Sequence, residues 1–176
     1  MRVLKEYKAL QKNYLKTFNY QVFAIELSDC MQELTFTLEP SEGTWKNGRF
    51  KFKAHLEGYP SSVRVSCLSD IRHPNIEDFG GICLNLIDDW NTDLTLADLI
   101  QGILFLFYEP NFEDPLTSYF ECGSEEPAED FMKNNIDERF YENEARVDLV
   151  QNIVKSAFSV IYQEPTCNHF QIALEC

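Results

Sequence analysis

Apolar side chains recur along the chain with changing periods, and each period predicts a different element. Val3, Tyr7, Leu10 and Tyr14 return every three or four positions, which places them on one face of a helix. Lys5, Lys8, Lys12 and Lys16 return at the same intervals on the opposite face, so the helix is amphipathic with a basic outer stripe. The period then drops to two. After the short apolar run Val22-Phe23-Ala24-Ile25, Leu34, Phe36 and Leu38 alternate with Thr35 and Thr37. Phe50, Phe52, Ala54 and Leu56 alternate with Lys51, Lys53 and His55, and Val63, Val65 and Cys67 with Arg64 and Ser66. Alternation means one wet and one buried face, as in an antiparallel sheet. Asn47-Gly48 is a turn signal between the second and third runs. One helix followed by a four-strand meander is expected.

From Leu68 to Leu94 no period persists, yet Ile71, Ile76, Phe79, Ile82, Leu84, Leu86 and Trp90 are scattered among Pro74, Gly80 and Gly81. An irregular segment this long and this apolar reads as an ordered, packed loop that carries a site. Thr95-Leu96-Ala97-Asp98 then matches a capping box and opens an apolar run to Tyr108. Leu99, Ile100, Ile103, Leu104, Leu106 and Phe107 cover most of the circumference, so this helix is expected to be buried and to end at Pro110. After a Gly/Ser/Glu-rich patch at 122–127, helical patterns run over 128–142 and 145–162, and 163–176 is a tail. No internal repeat is present.

Composition sets limits on this outline. Apolar residues are 44% of the 176, with 14 Phe, 8 Tyr and 2 Trp, which is ample core material and excludes global disorder. The formal charge of −14 repels phosphate backbones and anionic lipid, so neither nucleic acid nor membrane is expected as a partner. The charge is unevenly spread: residues 1–16 are basic and residues 109–148 strongly acidic. A basic start on an acidic body is either a solvated helix face or a contact for a separate acidic partner.

The first residues hold no uninterrupted apolar block, so no export signal is expected, and the run Leu99 to Tyr108 is too short to span a bilayer. Cys30, Cys67, Cys83, Cys122, Cys167 and Cys176 therefore read as reduced thiols in the cytosol or nucleus. With no CxxC pair and only three histidines, a zinc site has little support.

One string carries chemistry. His73-Pro74-Asn75-Ile76 is followed by Gly80-Gly81-Ile82-Cys83-Leu84-Asn85-Leu86 and Trp90. Leu94-Thr95-Leu96 and Glu109-Pro110-Asn111-Phe112-Glu113-Asp114-Pro115-Leu116 come after it. Taken singly, a cysteine between Ile and Leu is usually just buried, an Asn ahead of a loop is a turn former, and Asp-Pro is a loop dipeptide. Taken together, these residues resemble the ubiquitin-conjugating enzymes, whose hallmark is a His-Pro-Asn tripeptide eight residues ahead of an Ile-Cys-Leu nucleophile. Asn75 to Cys83 has that spacing. The order of elements also resembles that family's α/β (α+β) core over roughly residues 2–145: N-terminal helix, four-stranded antiparallel meander, long active-site loop, buried helix and C-terminal helices. Pro40-Ser41-Glu42-Gly43-Thr44-Trp45-Lys46-Asn47-Gly48-Arg49-Phe50 is most similar to the branch that conjugates the Nedd/Rub ubiquitin-like modifier.

The resemblance implies a transferase. Cys83 takes the modifier's C-terminus as a thioester from an activating enzyme and passes it to a substrate lysine. A thioester is reactive enough that no strong base need stand beside the sulfur. Asn75 would offer its amide to the oxyanion formed when the amine attacks, and removal of such a donor typically costs about 2.7–4 kcal/mol. Asp114 would orient the lysine and ease its loss of a proton. His73 and Pro74 support the loop, and Tyr59, ahead of Pro60, is architectural. The basic helix face, Lys5, Lys8 and Lys12, becomes a contact for the activating enzyme. Cys67, on the inward phase of its strand, is core; Cys30, Cys122, Cys167 and Cys176 match no catalytic position. No metal and no small cofactor is implied in this chain, because ATP is consumed upstream. The expected partners are a ubiquitin-like modifier, its activating enzyme and a ligase of the RING type or another. On this outline 1–162 is the core domain, with an insertion near 117–127 and an extended last helix, and 163–176 the tail.

The chain also departs from the family pattern. Ser61-Ser62-Val63-Arg64 replaces the usual loop ending in Pro-Pro, and Asn91-Thr92-Asp93 replaces a Ser-Pro-Ala-like turn. Ser61, Ser62, Asn91 and Thr92 lie on the loops that face ligases in the family, so that surface is altered. The Nedd branch usually has an extension ahead of its first helix, and this chain starts within a few residues of the helix. Two alternatives to the Nedd reading remain open: a conjugating enzyme for ubiquitin itself, and a non-catalytic variant serving as a binding scaffold. A cysteine peptidase would need a placed Cys/His pair, which the sequence does not supply.

Overall fold

The computed structural model describes residues 2–123 and 127–133. The helix expected at 145–162, the tail 163–176, Cys167 and Cys176 lie outside the described residues, as does most of the helix expected at 128–142, whose residues up to 133 are helical. The side chain of Cys122 also lies outside them.

Helix α1 covers Arg2–Thr17. Its period places Val3 and Leu10 in the core with Tyr7 and Tyr14 packed against it, and leaves Lys5, Lys8, Lys12 and Lys16 in solvent. Strands β1 (Val22–Leu27), β2 (Glu33–Leu38), β3 (Phe50–His55) and β4 (Arg64–Cys67) follow, each paired antiparallel with the next. Alternation sorts their faces. Leu34, Phe36 and Leu38, then Phe50, Phe52 and Ala54, then Val65 and Cys67 are all buried. Register places Phe36 opposite Phe52, their ring centroids 5.6 Å apart. β1 is less regular than its apolar run suggests: Ala24 takes φ 48 and the register shifts between Phe23 and Glu26, as at a β-bulge.

The Asn47-Gly48 turn is present, but it closes a longer connection from 39 to 49 instead of a two-residue hairpin. Asn47 takes φ 65, and its N–H donates to the Pro40 carbonyl at 3.1 Å. The connection is long because Trp45 folds inward from it and is 1% exposed.

Helix α3 spans Leu96–Leu106. The capping box forms as the sequence predicts, with the Thr95 hydroxyl accepting from the Asp98 N–H and the Asp98 carboxylate accepting from the Thr95 N–H. Such a cap is worth about 1 kcal/mol. Leu99, Ile100, Ile103 and Leu104 are buried beneath the sheet residues' cluster. The helix stops at Leu106, ahead of Pro110, because the last turn tightens: the Tyr108 and Glu109 N–H groups both return to the Phe105 carbonyl.

The irregular stretch is ordered and largely packed, with Ile71, Ile76 and Trp90 buried. Two details differ from expectation. Phe79 is 99% exposed, because it stands at the tip of a tight hairpin and not on a packed face. A short helix α2, Asn85–Asp88, follows Cys83; its N-cap, Leu84, makes no side-chain cap bond, so the sequence held no start signal for it. No helix among the described residues is long and apolar enough to cross a membrane.

Candidate active site

The segment ahead of Cys83 is a hairpin whose rungs are Ile76 and Ile82. The Glu77 N–H donates to the Gly81 carbonyl and the Gly80 N–H to the Glu77 carbonyl, both at 2.8 Å. Gly80 takes φ +85, and a Cβ there would lie 2.2 Å from the Cys67 carbonyl oxygen, so both conformation and space require glycine. The Cys67 N–H donates to the Gly80 carbonyl at 2.9 Å, fixing the hairpin to the end of β4.

Three further bonds gather the expected catalytic residues. The Cys83 N–H donates to the Asn75 carbonyl at 3.0 Å. The Asn111 N–H donates to the side-chain Oδ1 of Asn75 at 2.9 Å, and the Leu116 N–H to the Pro74 carbonyl at 2.7 Å. Asn111 itself accepts from the Glu113 and Asp114 N–H groups through Oδ1, at 3.0 and 3.3 Å. Asp114 therefore sits between two points where the 109–116 loop is clasped to the His-Pro-Asn segment. Cys83 and Asp114 are exposed and Asn75 is buried. Because Oδ1 of Asn75 is the clasped atom, the amide nitrogen is the end with no part in that bond.

His73 is turned away from this chemistry. It is 1% exposed; its Nδ1 accepts from the Asn75 N–H and its Nε2 lies 3.0 Å from the Leu106 carbonyl, which makes Nε2 the protonated nitrogen. Its ring lies against Trp45, centroids 4.3 Å apart, and Trp45 Nε1 donates to the Arg72 carbonyl at 2.9 Å. Burial pushes the His73 pKa down to about 3, with the bond to Leu106 opposing that shift. An ordinary histidine titrates near 6.5. The unfolded chain therefore binds a proton at His73 below that pH while the folded chain does not, and stability falls with pH through the window from 6.5 to about 3. Between pH 7 and pH 5, wild type is expected to lose about 2 kcal/mol of its stability advantage over His73→Gln. Urea unfolding of both proteins at the two pH values reads this difference, and a constant gap would mean that His73 titrates normally when folded.

Cys67 is buried, and burial pushes its thiol up to about 11, so it stays protonated core material. The remaining expected residues fall into one connected region. Tyr59 donates its hydroxyl to Glu6 Oε2, which also accepts from the Leu96 N–H at 2.9 Å. Burial raises the Tyr59 pKa, and the bond to Glu6 raises it further. Arg2 pairs with Glu6 and reaches the carbonyls of Thr92 and Leu94. Trp90 Nε1 donates to the Pro60 carbonyl at 3.0 Å. The loops carrying Ser61 and Ser62, and Asn91 and Thr92, are thus joined to each other and to the first turn of α1, with all four residues exposed. Lys5, Lys8 and Lys12 lie on the same helix and are exposed.

Asn111 is the site residue that carried no assigned role in the sequence. Its signal is an Asx turn: an Asn whose side chain accepts from the backbone two residues on. Among the described residues no group of three or more His, Cys, Asp or Glu side chains comes together as metal ligands.

Comparison with known proteins gives a consistent picture. A family model described as ubiquitin-conjugating enzyme matches residues 2–139. The NEDD8-conjugating enzyme ubc12 of Schizosaccharomyces pombe is 44% identical over 86 residues, which are 47% of this chain and 49% of that protein. The Nedd8-conjugating enzyme UbcE2M of Drosophila melanogaster is 40% identical over 98 residues, 53% of this chain and 54% of that protein. The chain thus spans about half the length of the curated relatives it matches. Among solved structures, S. cerevisiae Ubc12 superposes with a TM-score of 0.57 and 28% identity, covering 74% of this chain and 86% of that one.

Proposed function

Because the chain belongs to the ubiquitin-conjugating enzyme family, we propose that it carries a Nedd8-type modifier as a thioester on Cys83 and transfers it to a substrate lysine. In the first step the Cys83 thiolate attacks the activating enzyme's thioester; a new C–S bond forms and the activating enzyme's thiolate leaves. In the second, a lysine amine attacks the same carbonyl, a C–N bond forms, and Cys83 leaves as thiolate while the amine sheds a proton. Asn75 supports the oxyanion with its amide, and Asp114 receives the incoming ammonium and eases its deprotonation. Lys5, Lys8 and Lys12 meet an acidic surface of the activating enzyme, and the loops of Ser61, Ser62, Asn91 and Thr92 face a ligase. The protein works in the cytosol or nucleus, where Cys83 stays reduced.

The observation that supports this reading most is the clasp. An exposed cysteine is bonded through its N–H to an asparagine whose side chain in turn holds the loop of Asp114. His73, committed at both nitrogens, does not serve as a base to Cys83, which disfavours a peptidase. The modifier preference follows the relatives, several of which carry a Nedd8-conjugating name.

The test is a charging panel. Wild-type protein is incubated with ATP and each of several modifiers, every one with its own activating enzyme, and run on a non-reducing gel. A thiol-sensitive adduct with the Nedd8-type modifier is expected. Charging by ubiquitin alone would transfer the reading to that modifier, and no adduct with any modifier would overturn it.

A further inference from the structure

Arg72 stands immediately ahead of the His-Pro-Asn segment, and its side chain joins parts of the chain that are distant in sequence. Its guanidinium pairs with Asp78 at 3.0 Å and lies 3.9 Å from Asp70. It also lies over the Tyr119 ring, 4.2 Å from the centroid, and over the Phe131 ring at 5.8 Å, both within reach of a cation–π contact. Tyr119 closes the group by donating its hydroxyl to the other Asp78 oxygen at 3.2 Å. The Arg72 side chain is 29% exposed, so the cluster is partly sheltered from water.

These partners come from two sides of the transfer chemistry. Asp78 is a central residue of the turn that the Glu77 and Gly80 backbone closes, and that turn is the tip of the hairpin whose outgoing arm runs through Ile82 into Cys83. Tyr119 and Phe131 come from either side of the stretch that the family pattern does not supply. Tyr119 belongs to a short 3-10 helix, Ser118–Gly123, and Phe131 to the helical residues 127–133. The Asp114 loop is fastened at Asn111 and at Leu116, and Tyr119 follows directly as a further fixed point of the same segment. If the cluster only filled space, apolar side chains would do so without desolvating a cation and a carboxylate. The ion pair adds direction: it holds the hairpin tip and the inserted stretch to one planar group.

We propose that Arg72 is a positioning residue for transfer, setting the Cys83 hairpin against the Asp114 loop through Asp78 on one side and Tyr119 on the other. The proposal rests on the conjugating-enzyme reading above. Its effect differs between the steps. Loading needs the Cys83 sulfur to meet an activated thioester, whereas transfer also needs Asn75 and Asp114 in place. Lysine arrives as an ammonium that sheds a proton at Asp114, while hydroxylamine arrives uncharged. Slackening the Arg72 cluster therefore slows lysine and spares hydroxylamine.

The test reads that ratio. Full-length protein is charged with the Nedd8-type modifier, the activating enzyme is quenched, and the thioester is chased with free lysine or with hydroxylamine. Arg72→Met removes the charge but leaves the backbone carbonyl that receives Trp45. It is expected to charge as wild type and to lose about tenfold toward lysine with little change toward hydroxylamine, a fraction of the roughly hundredfold that a 1 Å misplacement can cost. Arg72→Lys, which keeps a cation for Asp78 but not the flat guanidinium, is expected to recover part of the loss. Tyr119→Ser should reproduce the lysine-selective loss, and decides the matter by the same ratio should Arg72→Met fail to fold; Tyr119→Phe, which keeps the ring, should be milder. Combining Arg72→Met with Tyr119→Ser should cost less than the product of the two, because both release the same Asp78. Equal losses toward both nucleophiles would make the cluster a brace of the fold and overturn the proposal alone. So would lysine discharge that neither Arg72→Met nor Tyr119→Ser changes. A wild type that charges with no modifier would overturn the underlying reading and this role with it.

Discussion

Cys83→Ser is expected to leave a modifier adduct that survives reducing agent, where the wild-type adduct disappears. Serine forms an oxyester, which lacks the thioester's readiness to yield to an amine, so the charged variant should accumulate while lysine conjugation stops. Asn75 separates the remaining chemistry. Its Oδ1 clasps the Asn111 N–H, and its amide nitrogen is the proposed oxyanion donor. Asn75→Asp keeps an oxygen for the clasp and removes the donor, placing a carboxylate where negative charge develops. Charging is expected to persist, while single-turnover discharge to lysine falls about 10²- to 10³-fold, the range for losing one such donor. A thermal melt on the same variant controls for folding. If discharge by Asn75→Asp matched wild type, Asn75 would be a clasp and nothing more.

Trp45→Ala should be the most damaging single change in the described core. Trp45 is 1% exposed, donates to the Arg72 carbonyl, packs on His73 and meets Phe107 edge-on at 5.9 Å. Truncating a buried tryptophan leaves a cavity that its neighbours fill only in part, costing about 3–5 kcal/mol. The Arg72 carbonyl also loses its donor. Because His73 carries Asn75 on its Nδ1, the loss should reach the site: at a temperature where the variant is still folded, discharge should fall more than charging. Chemical denaturation with the single-turnover assay checks both halves. A variant with a wild-type unfolding midpoint would show that Trp45 does not hold this core.

The two-residue alternation of β2, β3 and β4 was legible because each strand buries one face only, so Phe36, Phe52 and Val65 identify themselves beside polar neighbours. The capping box of α3 was legible because Thr95 and Asp98 act over one turn of chain. Phe79 was misread for the opposite reason. Its exposure depends on a hairpin closed by Gly80, and Gly80 is forced by the distant Cys67 carbonyl, a contact no local pattern encodes. The length of the 39–49 connection was likewise set by where Trp45 must pack. At the site, residue identities and the eight-residue spacing of Asn75 and Cys83 could be read directly. What could not be read is that Asn111 fastens the Asp114 loop, since that bond joins positions 36 apart.

His73 has a consequence for timing. Both of its ring nitrogens are engaged by backbone, so it has no lone pair with which to activate a water molecule against the proposed thioester. A carrier of the proposed kind, loaded by one protein and relieved by another, must outlast the journey between them. On the proposed function, the imidazole nearest Cys83 in sequence, buried against Trp45, would contribute to that endurance by abstaining: the stored bond would wait for an amine to be brought to it.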